Sequence, residues 1–300
     1  MDMLEVKQVV KSFGSHQIIK NLSFHVPEHT IYGFIGQNGA GKTTTMKMIL
    51  GLLPMDGGEI RVNGELVTYG QNKTNKFIGY LPDVPEFYNY MTPSEYLNLC
   101  GEITGMTSNE RKKQISELLE LVGLSKAEKR IQGFSRGMKQ RLGIAQALLN
   151  KPKLLICDEP TSALDPLGRK EILDILTNIK DKTTVIFSTH ILSDVERICD
   201  MIGLLHDGEL AFQKKMEEIH QIHHSDGVIV EFHTHKDAKH FMSICPGGEL
   251  SGKTQILYHH NEKADMRNVM KLLVENNLQP LKIEMREPTL ESLFMEVIGQ

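Results

Sequence analysis

The sequence predicts an α/β protein with a parallel core sheet, an N-terminal antiparallel β subdomain, a helical subdomain and a small C-terminal α+β appendage. Three observations carry that prediction. The β-branched and aromatic run TIYGFIG leads into a glycine-rich loop and then an amphipathic helix. Two later segments, KLLICDE and TTVIFSTH, are apolar on both faces and flank a helical stretch, the pattern of a parallel sheet covered on both sides. Past residue 218 a fresh series of short strands and helices begins.

Taken in chain order, MLEVKQVV and NLSFHV alternate as strands before Pro27. Next comes GQNGAGKTT, in which Gly36, Gly41, Lys42 and Thr43 fit the spacing G-x-x-x-x-G-K-[ST]. Gly36, Asn38, Gly39, Ala40, Gly41, Lys42, Thr43 and Thr44 are therefore candidate phosphate-binding residues. The glycines let backbone N–H groups turn inward, and the following helix adds partial positive charge. Lys42 suits the β and γ phosphates, and the Thr43 hydroxyl suits magnesium. That helix carries Met46, Ile49, Leu50 and Leu53 as its stripe, with Pro54 placed to stop it. In EIRVNGELVT, Asn63-Gly64 between two alternating runs predicts a hairpin.

From Thr92 the pattern turns helical, with capping boxes at Thr92–Glu95 and Thr107–Glu110 and Pro93 at a first helical position. Ile115, Leu118, Leu119 and Val122 form the stripe of the second helix. A helical subdomain over about 88–145 is expected, followed by the two buried strands and, between them, a helix bearing Ile172, Ile175, Leu176 and Ile179. The expected domains are 1–218 and 219–300. In the second, GVIVEFHT, TQILYHH and PLKIEMRE read as strands, with helices near 236–244 and 263–277. TLESLFMEVIG closes it, with Leu290, Leu293, Phe294 and Val297 at helical spacing.

Composition bounds the function. Of 300 residues, 40% are hydrophobic and 24% charged, with net charge −4, as in a soluble globular protein; no basic excess points to nucleic acid. No signal-peptide pattern or spanning apolar run occurs, so a cytosolic chain that does not itself cross a membrane is expected. Cys100, Cys157, Cys199 and Cys245 are widely spaced and read as reduced thiols. Histidines crowd the appendage at 220, 223, 224, 233, 235 and 240. They lack a metal-site pattern and read as surface residues.

The chemistry centres on KLLICDEP, where Asp158 and Glu159 follow a strand at the edge where α/β sheets bind ligands. Adjacent carboxylates repel unless a cation or proton intervenes. Asp158 suits a magnesium ion and Glu159 a hydrolytic water; a solvated loop is the plain alternative. His190 ends TTVIFSTH at the same edge, as a catalytic residue or an ordinary hydrogen-bonded one. In GFSRGMKQRLGIAQALL, Ser135 can cap a helix whose inner face is Met138, Leu142, Ala145 and Leu149. Such a capped terminus is also a second anion site, in a chain that already has one.

In order, GQNGAGKT, FSRGMKQR, LLICDEP, SALD and STH resemble the Walker A, signature, Walker B, D-loop and H-loop segments of the ATP-binding cassette (ABC) ATPases, over residues 3 to 218. The resemblance implies a P-loop NTPase fold, ATP and Mg2+ as ligands, and a head-to-tail dimer with each ATP between one P-loop and the other chain's Ser135 and Gly137. On the same resemblance His190 contacts the γ-phosphate, Asp165 faces the partner and Phe13 stacks on adenine, although Phe13 equally suits a core position. Asp83 falls where the family usually has a magnesium-touching glutamine, so it is a candidate metal residue with Thr43 and Asp158. Phe134, Arg136 and Met138 replace the commoner Leu, Gly and Gln of the signature.

Within the family, IYGFIGQNGAGKTTTMKMILGLL, GYLPDVPEFY, SRGM and EPTLESLFMEVIG are similar to separate-chain ATPases of bacterial exporters for drugs, bacitracin-like peptides and lantibiotics. That implies a permease on a separate chain, pairing with a second copy or a paralogous ATPase, and a peripheral position on the inner face of the cell membrane. An importer ATPase carries the same motifs. A soluble cassette acting on ribosomes or DNA is disfavoured by the single P-loop and the absence of long coiled coils, and a switch GTPase by the absence of N-K-x-D.

Overall fold

The computed structural model describes residues 1–71, 73–222, 227–259, 265–285 and 290. The chain divides into two units, Met1–Met216 and Glu217–Gln300.

In the first unit, alternation yields the twelve-residue strands β1 (Asp2–Phe13) and β2 (His16–Pro27), paired antiparallel. β3 (Ile31–Gly36) is buried at every position and feeds α1 (Lys42–Ile49). This helix ends earlier than Pro54 predicts. Gly51 takes φ +67, Gly51 N–H bonds Met48 O and Leu52 N–H bonds Lys47 O, the paired bonds of a Schellman motif that a glycine adopts without Cβ strain. The Asn63-Gly64 hairpin forms between β4 (Gly57–Val62) and β5 (Glu65–Leu66). Together β2, β1, β4 and β5 make an antiparallel sheet in that order.

β6 (Ile78–Leu81) then enters the core sheet, ahead of three helices: α2 (Pro93–Ile103), α3 (Ser108–Leu121) and α4 (Arg136–Leu148). Both predicted capping boxes form. The α3 stripe and Leu142, Ala145 and Leu149 are buried, and Met138 is half-buried. A Cβ on Gly143 of α4 would fall 2.5 Å from Leu81 Cδ1, so the helix lies close against β6.

β7 (Leu154–Asp158), α5 (Pro166–Ile179), β8 (Thr184–Thr189), α6 (Leu192–Ile198) and a β9 (Met201–His206)–β10 (Glu209–Lys215) hairpin complete the unit. The core sheet runs β10-β9-β3-β8-β7-β6, parallel except for β10 at one edge. Leu154, Leu155 and Ile156 of β7 have no exposed surface. Each such side chain stabilises the fold by roughly 1.5–3 kcal/mol, an upper estimate. The antiparallel sheet meets the core sheet through Gln213 of β10, whose side chain bonds both backbone groups of His25 in β2. This arrangement is the P-loop α/β architecture that the sequence predicts. No helix among the described residues is long and apolar enough to cross a membrane.

α7 (Met216–Ile222) leads into the second unit. Its strands β11 (Gly227–Phe232), β12 (Gly248–Ser251), β13 (Gln255–His259) and β14 (Pro280–Met285) and helices α8 (His235–Ile244) and α9 (Met266–Glu275) follow the order β-α-β-β-α-β. The sheet order β12-β13-β11-β14, antiparallel throughout, is that of a split βαβ fold. Val228, Val230, Phe232, Phe241, Ile256 and Tyr258 lie in its core. The predicted closing helix lies outside the described residues apart from Leu290, as do His223 and His224.

Candidate functional site

The loop between β3 and α1 carries the predicted phosphate-binding residues. Gly41, the N-cap of α1, takes φ +110, where a side chain would be strained and a Cβ would strike Ile19 Cδ1 at 2.4 Å. Lys42 is 6% exposed, and its ammonium donates to the carbonyls of Gly36 at 2.7 Å and Gln37 at 3.2 Å. The lysine is thereby folded back over its own loop. Phe13, Ile18, Asn38, Gly39, Gly41, Lys42, Thr43, Thr44 and Glu159 line one pocket of about 370 Å³. Phe13 is half exposed at 50%, which removes the core alternative for it.

The two adjacent acids face different partners. Asp158 accepts from the Thr43 hydroxyl at 2.8 Å and from the Ser188 hydroxyl at 2.6 Å. Glu159 lies 3.6 Å from the Lys42 ammonium through Oε1 and 2.9 Å from His190 Nδ1 through Oε2. Opposite positions on β7 and β8 explain the arrangement, since Asp158 and Ser188 are register partners. Glu159 takes φ +48, uncommon for a residue with a side chain, and its N–H donates to both Ser188 Oγ and Ser188 O. Ser188 thus fixes both acids. Its signal in the sequence was a hydroxyl directly after the apolar run 185–187, because a buried polar group needs a partner.

Asp158 perturbs its surroundings. Burial first, and the Asp158 charge second, push the Tyr80 phenol up to about 12. The same two causes, in the same order, raise the Cys157 thiol. Thr43 and Asp158 offer two hard oxygen donors side by side at the sheet edge, a set that fits a small divalent cation needing one carboxylate and further oxygens.

A second network lies behind the first. Asp194, buried on α6, accepts from Thr161 Oγ1 at 2.7 Å and from Arg169 Nη2 at 2.6 Å. It therefore joins the loop after Glu159 to the helix after His190. Asp165 caps α5, accepting from Gly168 N–H at 3.0 Å.

Ser135, Gly137 and Asp83 take part in none of these contacts. Ser135 caps α4 through the Met138 N–H at 3.2 Å, and neither it nor Gly137 lines the pocket. Asp83 is held by other partners. Its carboxylate is 3.2 Å from Arg136 Nη2, and its carbonyl accepts from Gln140 Nε2 at 2.6 Å. Two of the departures from the expected motifs, Asp83 and Arg136, thus pair with each other. The histidines at 233, 235 and 240 do not converge with other ligand types, and among the described residues no three His, Cys, Asp or Glu side chains form a metal-ligand group.

A family profile described as ABC transporter matches residues 19–162. The chain is 46% identical over 220 residues to the uncharacterized ABC transporter ATP-binding protein YxlF of Bacillus subtilis, covering 73% of each. It is 37% identical to the bacitracin transport ATP-binding protein BcrA of Bacillus licheniformis, over 99% of this chain and 97% of that protein. It is 34% identical to the linearmycin resistance ATP-binding protein LnrL of Bacillus subtilis, over 99% of both. A solved ATP-binding subunit of an ABC transporter superposes with TM-score 0.66 at 32% identity, covering 73% of this chain and 92% of that one. The dimeric cassette MJ0796, bound to ADP and Pi in a post-hydrolysis state, superposes with TM-score 0.64 at 26% identity, covering 71% and 99%.

Proposed function

The chain belongs to the ABC transporter ATP-binding family, and we propose that it powers a separate membrane permease that exports an antibiotic peptide or related drug. It is an ATP-hydrolysing subunit. The observation that carries the site assignment is the Glu159 carboxylate held between Lys42 and His190 at the rim of the phosphate-binding pocket.

Lys42 and the loop N–H groups bind the triphosphate, Phe13 receives the base, and Glu159 orients and deprotonates the attacking water. His190 holds Glu159 and reaches the γ-phosphate. Thr43 and Asp158 are the residues we assign to magnesium, which when bound neutralises phosphate charge. Asp83, paired with Arg136 through one carboxylate oxygen, is the third residue we weigh for that ion. Ser135 and Gly137 complete the site of a second ATPase chain, a copy of this one or a paralogue. The chain works from the inner face of the membrane. Exposed Val84, Tyr88 and Tyr90, beside Asp83, supply an apolar contact for the permease.

Names of relatives support the export of antibiotics: bacitracin for one, linearmycin resistance for another. Expression with its permease in a sensitive host should raise the inhibitory concentration of a bacitracin-type peptide, and Glu159→Gln should remove that protection. Magnesium-dependent ATP hydrolysis without any change in sensitivity to peptides or drugs would refute the export reading while leaving the ATPase intact.

A further inference from the structure

We infer that Asp56 positions the base-contacting face of the nucleotide pocket, acting through Lys11 on Phe13. This rests on the reading of Phe13 as the surface on which the base stacks.

Phe13 and Lys11 are near neighbours on β1 with opposite environments. Phe13 is half exposed at the pocket rim, whereas Lys11 is 6% exposed. The Lys11 ammonium lies 5.4 Å from the centroid of the Phe13 ring and donates to Asp56 Oδ1 at 2.8 Å. The other Asp56 oxygen accepts from the Ser12 N–H at 2.6 Å, and the Asp56 N–H donates to Val10 O at 2.9 Å. One residue in the loop after α1 therefore holds the backbone on either side of Lys11 and the ammonium itself.

A cation over one face of an aromatic ring is drawn to its π-electrons and fixes the ring plane, leaving the opposite face to a flat ligand. Lys11 stays buried because Asp56 neutralises it; a buried ammonium without a counter-ion moves toward water. Loss of Asp56 frees both the cation and the Ser12 backbone, and the ring loses its fixed plane. The phosphate-binding residues do not contact Asp56 through any of these bonds, so the effect is confined to ligands that carry a base.

The test compares ATP with inorganic tripolyphosphate, which has the phosphates and no base, by calorimetric titration of the full chain. Asp56→Asn should weaken ATP binding about fivefold, the scale of a cation–π contact. Tripolyphosphate affinity should not change, and Asp56→Glu should recover part of the loss. In a Phe13→Ala background Asp56→Asn should have no further effect. Equal weakening of both ligands would mean that Asp56 acts on the phosphate loop and would overturn the inference, as would unchanged ATP binding in Asp56→Asn. Phe13→Ala with native ATP affinity would instead overturn the reading of Phe13 beneath it.

Discussion

Glu159 and His190, brought together from β7 and the end of β8, share a contact of 2.9 Å between Oε2 and Nδ1. A carboxylate only accepts, so the imidazole donates from Nδ1 and keeps its other nitrogen available. Lys42 at 3.6 Å holds the second oxygen. The carboxylate is held by partners from two different elements, which fits the proposed water-orienting role.

Glu159→Gln keeps the shape of the side chain and removes its basicity. Turnover should fall by about 10²–10⁴-fold, the usual cost of losing a general base. ATP binding should persist, because Lys42 and the loop are untouched. Single-turnover phosphate release, measured beside calorimetric ATP affinity, checks both halves; near-native turnover would exclude Glu159 as the base.

Lys42→Ala removes the ammonium that the loop carbonyls hold over the phosphate site. Nucleotide at 100 times its dissociation constant stabilises a folded protein by about 2.7 kcal/mol. Thermal melts should therefore show an ATP-dependent rise for the native chain and little for the variant. An equal rise in both would place the phosphates elsewhere.

Much of the geometry of this candidate site was legible in the sequence because its residues sit at or beside strand ends, which short motifs mark. Lys42, Asp158, Glu159 and His190 each follow an apolar strand, and parallel pairing brings strand ends together. What was not legible depends on register or distant packing. Ser188 bonds Asp158 only because β7 and β8 align as they do. The Asp83–Arg136 pair and the Lys11–Asp56 pair join residues far apart in the chain. The β9–β10 hairpin carried a readable signal, Asp207-Gly208, that the apolar core strands overshadowed. The split βαβ order of the second unit rests on nonlocal pairing, which strand periodicity does not encode.

Asp194→Ala should be strongly destabilising. Asp194 is 2% exposed and pairs with Arg169, and removing one partner of a buried ion pair costs about 3–5 kcal/mol. Arg169 is less buried than Asp194, so the lower end applies. Chemical denaturation should show the loss, and Thr161→Val a smaller one of about 1 kcal/mol. A midpoint unchanged in Asp194→Ala would mean that the network does not hold the loop after Glu159 to α6.

Asp83 separates two roles that one carboxylate could play. Paired with Arg136 at 3.2 Å, it is not among the oxygen donors beside Thr43. Asp158→Asn should raise the magnesium concentration needed for half-maximal hydrolysis by about tenfold or more, on the scale of losses at metal sites. Asp83→Asn should leave that concentration nearly unchanged. A shift in Asp83→Asn as large as in Asp158→Asn would return Asp83 to the metal.

Ser135 sits at the N-cap of α4, away from the pocket that this chain builds around its own Lys42. A capped terminus offers N–H groups and partial positive charge to an anion, and the γ-phosphate on a facing chain is the anion that the head-to-tail arrangement supplies. Ser135→Arg fills that space with a long side chain while leaving the P-loop untouched, so ATP affinity of the single chain should hold. Dimerisation should not. In a Glu159→Gln background, where bound ATP is not consumed, size-exclusion chromatography with ATP should give a dimer for native Ser135 and a monomer for Ser135→Arg. A dimer of equal population in both would refute the sandwich. A monomer in both, with ATP bound, would point to a paralogous ATPase as the facing chain or to a requirement for the membrane permease.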